Sequence, residues 1–257
     1  MNSLHYCKYT RYWGKLLYYF REINSTHTYA IELLSKFSPR PGTVILADFQ
    51  HAGRGQHGRN WQSEKGENLL FSSIVHPQFL QADQSFSLNL VTSVALLRVI
   101  KAALTSHSVC IKWPNDLLIG HKKVAGILTQ TSLRSSQVDH AVISIGLNVN
   151  QREFDANLPQ ATSLFLESGK TFYRQSLFDD LCRELERCLN ELETKGIEAL
   201  LATYEENFYG LDTEVELIRG KDSIRGVCRG VDRSGALIIE KSDGTRQAYT
   251  SGSLVFL

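Results

Sequence analysis

The 257-residue chain lacks a surplus of either charge: 28 Lys and Arg face 27 Asp and Glu, for a net charge of +1. A dedicated nucleic-acid binder would usually carry a basic excess, so that class is disfavoured. It also lacks paired cysteines. Cys7, Cys110, Cys182, Cys188 and Cys228 are odd in number, and none forms a Cys-x-x-Cys pair. They read as reduced thiols in a reducing compartment, the cytoplasm. No secretory signal is expected, because Lys8, Arg11 and Lys15 precede no apolar core. No long apolar run is uninterrupted either: Leu88 to Leu104 is broken by Asn89, Thr92, Ser93, Arg98 and Lys101. It reads as a buried helix rather than a membrane span. Internal repeats and low-complexity segments are also missing. What remains is an ordinary globular composition, 42% hydrophobic and 21% charged, long enough for a large core and a second small one.

The chain is organised around residues 50–73. Between the strands expected at Thr43–Phe49 and Asn68–His76 lie Gly53, Gly55, Gly58 and Gly66, with Arg54, Arg59, His57 and Trp61. Glycines let a ligand approach the backbone, and arginine forks match carboxylate and phosphate. Such a loop suits a large anion. With no apolar anchor before Trp61, it should be mobile when empty. A basic surface loop would look the same, so the rest of the chain must decide.

Residues 1–14 show no period, and partial disorder is expected there. A strand at Leu16–Arg21 precedes a helix whose apolar positions are Tyr29, Ile31, Leu33, Leu34 and Phe37, capped by Ser25 or Thr26. Its N-terminus could also receive an anion. Further elements are expected as a helix over Ser85–Ser106, strands over Val109–Trp113, Leu117–Ile119, Lys122–Thr131 and His140–Val149, and helices over Gln175–Glu193 and Ile197–Asn207. From Gly210 the texture changes to short β runs, Thr213–Arg219, Arg225–Val231, Ala236–Glu240, Arg246–Tyr249 and Leu254–Leu257, which suggest a small barrel. Residues 1–210 and 211–257 are therefore read as two domains, an α/β (α+β) domain with a mixed sheet and helices packed on it, then a barrel.

The strand, proline turn and hairpin of residues 111–128 should gather Lys112, Asn115, Asp116 and Lys123. Strand alternation puts Lys123 and Ala125 on one face and sends Lys122 to the other. Gly126 leaves room beside Lys123. Asp116 could equally pair with a lysine or close the turn. Asn148, at the end of a buried strand, needs partners or shapes a turn.

Four ordered motifs then carry a resemblance: Gly53-Arg54-Gly55-Gln56-His57-Gly58-Arg59, Lys112-Trp113-Pro114-Asn115-Asp116, Lys123 to Leu128, and Gly146-Leu147-Asn148-Val149. From about residue 16 to its end the chain resembles the biotin protein ligases (biotin–[acetyl-CoA-carboxylase] ligases), the C-terminal segments Gly226–Asp232 and Gly235–Leu237 included. The resemblance implies an SH3-like C-terminal barrel and a two-step reaction with ATP and Mg2+. Biotin's carboxylate attacks the α-phosphate to give biotinyl-5′-AMP, and a lysine of a biotin carboxyl carrier domain then takes the biotinyl group. It implies Arg54 and Lys123 as catalytic, on carboxylate and α-phosphate. Ser25, Thr26, His27, Gln50, Gly53, Gly55, Gln56 and Gly126 would join them at biotin. Arg59, Trp61, Lys112, Asn115, Asp116 and Asn148 would serve the adenylate with the same pair. Joining two anions needs such cations. No residue is assigned to metal, which would travel with the phosphates. The loop would order over biotin and keep water out.

Three departures stand out. His27 replaces a frequent asparagine. Gln56 and His57 replace a pair of arginines, so a neutral Gln56 should hold the anionic adenylate less tightly and leak it. No winged helix is expected before the first strand, so a repressor role is unsupported. A monomer and a homodimer both stay open. Lipoate ligation is the nearest alternative, since the same fold supports it. An RNA-binding module would need more aromatic residues among the basic ones. A biotin sensor without transfer would not need Lys123 and Arg54.

Overall fold

The computed structural model describes residues 6–219, 221–250 and 253–256. The elements run β1 (Leu17–Phe20), α1 (Thr26–Lys36), β2 (Thr43–Ala47), β3 (Leu69–Val75), α2 (Ser87–Ala103), β4 (Val109–Lys112), β5 (Asp116–Ile119), β6 (Lys122–Arg134) and β7 (Gln137–Leu147). Then come α3 (Leu164–Ser168), α4 (Arg174–Lys195), α5 (Glu198–Glu206), β8 (Glu214–Arg219), β9 (Asp222–Val231), β10 (Leu237–Glu240), β11 (Arg246–Tyr249) and β12 (Ser253–Phe256).

Seven strands form one sheet in the order β1-β2-β3-β7-β6-β5-β4. β1 and β2 pair in parallel and the remaining neighbours antiparallel, so the sheet is mixed as expected. β2 and β3 are buried at every position because both faces are covered. On one face α1 packs Ala30 and Leu33 against Ile45, Ile74 and Val142. On the other, α2, α4 and α5 share the main core. By length and composition alone, Ala82–Ala103 could cross a membrane. Twelve of the seventeen α2 residues are buried in protein, so it is a helix apolar nearly all round and used as a core.

Ser25 caps α1, its hydroxyl accepting the Thr28 N–H. Phe37, expected on the apolar face, ends the helix and is 65% exposed. Strand ends moved where pairing overrode composition: the β6–β7 ladder runs to a tight turn that pairs Arg134 with Gln137, longer than expected. The helix α3 follows β7 in a stretch for which no element was expected. Residues 1–5 lie outside the described residues. The segment from Tyr6 to Gly14 has no regular structure but is packed: Cys7 and Trp13 are fully buried, and the Trp13 indole N–H donates to Ser73 Oγ at 3.0 Å.

The C-terminal strands form a five-stranded antiparallel sheet, β11-β10-β9-β8-β12, in which the ten-residue β9 serves both β8 and β10. Leu257, expected in the last strand, lies outside the described residues. The small sheet is tied to the first where the Trp113 indole N–H donates to the Gly235 carbonyl at 3.0 Å. Gly235 has φ +82°, and the Phe86 ring fills the space where a Cβ would stand, so this turn requires glycine twice over.

Candidate active site

A cavity of about 840 Å³ opens over β3, β5, β6 and β7, within the range of ligand pockets. Every site residue read from the sequence lines it except Gly53. Gly53 instead closes the loop. Its carbonyl accepts the Trp61 N–H at 2.9 Å, and a Cβ on it would come 2.6 Å from the Trp61 carbonyl oxygen. The loop also folds on itself through Gly55 N–H to the Arg59 carbonyl, 2.7 Å. Arg54 and Arg59 are exposed at the mouth.

Trp61 anchors the end of this loop. Its ring lies on β6 and β7 over Gly126 and Gly146, and a Cβ on Gly126 would stand 2.8 Å from it. The room expected beside Lys123 is thus filled by an indole. Its N–H is buried with no partner among the described residues, and Lys123 Nζ sits 5.5 Å from the ring centroid.

Lys123 points inward and pairs with Asp116 at 2.6 Å, while Lys122 is exposed and meets Glu167 at 3.7 Å. Register explains the first pair: Asp116 lies across from Gly126, next to Ala125, on the strand that carries Lys123. The backbone of Lys123 is clamped as well, its N–H donating to the Gln160 carbonyl (2.6 Å) and its carbonyl accepting from Thr162 (2.9 Å). Residues 157–161 therefore form a cavity wall, although none of them is among the site residues expected from the sequence. Lys112 is half-buried. Burial lowers its pKa first, Asp116 opposes that, and Lys123 and Arg59 add to the lowering. Asn115 has a structural duty, its amide donating to the Ile127 carbonyl at 2.6 Å. Asn148 donates to the Thr162 carbonyl at 2.9 Å, which leaves its buried Oδ1 without a partner among the described residues. An orphaned acceptor of this kind calls for a donor on a ligand.

At the opposite end the cavity floor is built from buried polar side chains. Gln50 Oε1 accepts both the backbone N–H (2.8 Å) and the hydroxyl (3.0 Å) of Thr26. Ser72 donates to Thr26 at 2.9 Å and contacts Ser144 at 2.8 Å. Both ring nitrogens of His27 are occupied by protein, Nδ1 by Ser144 (2.8 Å) and Nε2 by Gln130 (3.0 Å). Burial lowers its pKa first, the Gln130 contact opposes that, and the charge of Arg54 adds to the lowering, so the neutral ring is favoured. Ser72, Ser144 and Gln130 were not read as site residues. For the two serines the signal was a hydroxyl within an apolar strand, Ser72-Ser73 in β3 and Ile-Ser-Ile in β7. The cavity thus holds a hydrogen-bonding end, cations, and in its walls both an amide acceptor and an indole.

Residues 19–148 match the biotin/lipoate A/B protein ligase family, and residues 210–257 match the biotin protein ligase C terminal domain. The chain is 30% identical to a biotin–[acetyl-CoA-carboxylase] ligase of Paracoccus denitrificans, covering 91% of this chain and 97% of that one. It is 32% identical to the bifunctional ligase/repressor BirA of Bacillus spizizenii, covering 94% and 74%. Among solved structures, a biotin protein ligase from Aquifex aeolicus in complex with biotin and ATP superposes with a TM-score of 0.81 at 28% identity, over 95% of this chain and all of that one.

Proposed function

This chain belongs to the biotin protein ligase family, and we propose that its cavity divides that family's reaction between the polar floor and the cationic centre. The protein is an ATP-dependent ligase. It joins the biotin carboxylate to the α-phosphate of ATP, releasing pyrophosphate, and then passes the biotinyl group from biotinyl-5′-AMP to a lysine of a biotin carboxyl carrier domain, releasing AMP.

The observation that carries the residue assignment is the paired chemistry of the floor. Ser25 Oγ accepts the cap N–H, so its hydrogen is left for a ligand carbonyl. Thr26 Oγ1 donates to Gln50 and accepts from Ser72, so one lone pair is left for a ligand N–H. A cyclic urea presents those two functions side by side. From there the biotin chain would lead its carboxylate to Lys123 and Arg54. The two residues would offset the repulsion between carboxylate and phosphate, and Lys112 and Arg59 would stabilise the leaving pyrophosphate. Asn148 Oδ1 would accept from the exocyclic amine of adenine. Trp61 would cover the adenylate and exclude water from the anhydride.

Asp116 is the one carboxylate among the cavity-lining residues, and it is paired with Lys123. Among the described residues no cluster of three or more His, Cys, Asp or Glu could hold a metal. A magnesium ion arriving with ATP, held through phosphate oxygens and water with Asp116 at hand, suits that donor set and would screen the phosphate charge. We place the catalytic domain at 1–210 and the small domain at 211–257. The net charge of +1 supports a partner that is protein rather than nucleic acid, and five free thiols suit the cytoplasm.

The test is mass spectrometry of a purified carrier domain incubated with this protein, Mg-ATP and either biotin or lipoate. A biotin-sized increment on one lysine, lost with Lys123→Ala, is expected. A lipoyl increment would overturn the substrate, and no increment without biotin-dependent ATP–pyrophosphate exchange would overturn the ligase assignment.

A further inference from the structure

Six side chains at the cavity floor and behind it form one continuous hydrogen-bonded line: Gln50, Thr26, Ser72, Ser144, His27 and Gln130, with every step between 2.8 and 3.0 Å. A single fixed group sets its direction. The backbone N–H of Thr26 can only donate, so the Gln50 atom 2.8 Å away must be the carbonyl oxygen. That oxygen can only accept, so the Thr26 hydroxyl donates to it. The hydrogen between Ser72 and Thr26 must then come from Ser72, and the one between Ser144 and Ser72 from Ser144. His27 Nδ1 now faces an oxygen whose hydrogen is committed elsewhere, so Nδ1 carries a proton. In the neutral form that burial favours, Nε2 is then bare. Gln130 is exposed on β6, and a half-turn of its amide presents an N–H to Nε2 in place of the oxygen.

We propose that His27 is a positioning residue: through this one-way relay it holds an acceptor lone pair of Thr26 toward the ligand and so selects ligands that bring an N–H, such as the cyclic urea of biotin. The proposal rests on the biotin reading above. His27 itself does not touch the ligand in this account, because protein groups fill both of its nitrogens. Ser72 and Ser144 become part of the selection machinery, although neither needs to reach the ligand. Their burial matters. Water could restore a broken contact on an exposed line, but Ser72 is fully buried and His27 and Ser144 nearly so.

An acceptor in place of the His27 Nδ1–H would draw the Ser144 hydrogen to itself. One of the contacts Ser144–Ser72, Ser72–Thr26 or Thr26–Gln50 would then be two oxygens with no hydrogen between them. His27→Asn and His27→Asp test this as a pair matched in size, since asparagine offers an N–H and aspartate only lone pairs. Calorimetric titration of the full chain with biotin should show His27→Asp binding on the order of tenfold to a hundredfold more weakly than His27→Asn, the effect of one unsatisfied buried group. ATP binding to the two variants should differ by less than about twofold, because the relay does not touch the nucleotide end.

The second readout uses the unmutated protein, so it survives a folding failure of His27→Asp. A long-range proton–nitrogen correlation spectrum of histidine-labelled protein, with the His27 signal identified by its loss in His27→Asn, should show a protonated Nδ1 and a bare Nε2. A bare Nδ1, or equal biotin affinity of the two variants, overturns the relay. Absence of any biotin binding by the unmutated protein overturns the biotin reading instead, and the spectrum still decides the relay.

Discussion

The indole of Trp61 rests on the bare backbone of Gly146: a Cβ there would come within 2.6 Å of Trp61 Cζ2. The indole thus fastens the glycine-rich loop to the central sheet and roofs the cavity there. In Gly146→Ala the indole must leave. Overpacking of this kind costs about 1–3 kcal/mol. The expected result is a KM for ATP raised roughly tenfold, with a KM for biotin nearly unchanged. Steady-state exchange kinetics with each substrate varied in turn would show it, and equal rises in both would contradict the placement of Trp61 on the adenylate side.

The pair Lys123–Asp116 predicts unequal effects of its two members. Lys123→Ala removes a cation from the point where two anions meet and should lower the rate of adenylate formation by about a hundredfold to a thousandfold. Asp116→Asn leaves the lysine charged and should lower it by far less, on the order of tenfold. Biotin-dependent ATP–pyrophosphate exchange measures both. If Asp116→Asn proves the worse, the carboxylate does more than hold the lysine.

Lys112 carries a pH signature. Its folded pKa is lowered, chiefly by burial, so as pH rises it loses its charge before an ordinary lysine would. The same shift makes the folded chain bind that proton less tightly than the unfolded chain, a cost to stability that disappears once the pH exceeds the unfolded value. Affinity for ATP should therefore fall on the alkaline side at a pH below the ordinary lysine range. Lys112→Arg should move that limb upward. A limb that stays in place would assign it to another group.

Asn148 should set nucleotide choice. Its Nδ2 is held by the Thr162 carbonyl, so the partnerless Oδ1 is an acceptor that adenine can satisfy and guanine, with a carbonyl at that ring position, cannot. GTP should support exchange at least about a hundredfold less well than ATP. Asn148→Ala should erase much of that ratio while lowering the ATP rate, and an unchanged ratio would place the base elsewhere.

Gln56 lines the cavity without a charge. Free biotinyl-5′-AMP should therefore accumulate faster with the unmutated protein than with Gln56→Arg, whose guanidinium would hold the anion. Chromatography of the reaction without a carrier domain measures the leakage. Equal rates would show that Gln56 does not retain the intermediate.

Much of the fold could be read in advance because its cause is local. Apolar runs such as Thr43 to Ala47 and Leu69 to Val75 have few other uses in a chain of this composition, and Ser25 before an amphipathic stretch caps a helix wherever it occurs. What was misjudged depended on partners distant in sequence. Residues 6–14 looked like an untethered tail, yet Trp13 finds its hydrogen-bond acceptor in Ser73, sixty residues away. The Gly126 position looked like ligand space, yet the ring that fills it comes from residue 61.

The site divides along the same line. Glycine, arginine and lysine in ordered motifs specified an anion-handling centre from the sequence by itself, because backbone freedom and fixed positive charge belong to a residue wherever it lies. The polarity of the floor was decided only by the tertiary structure. A hydroxyl can donate or accept, and nothing in the sequence orders Thr26, Ser72, Ser144 and His27 along one line. Two sheet strands, β3 and β7, and the first turn of α1 do that, and the one-sided chemistry of a single backbone N–H then gives the hydroxyl hydrogens on the line their direction.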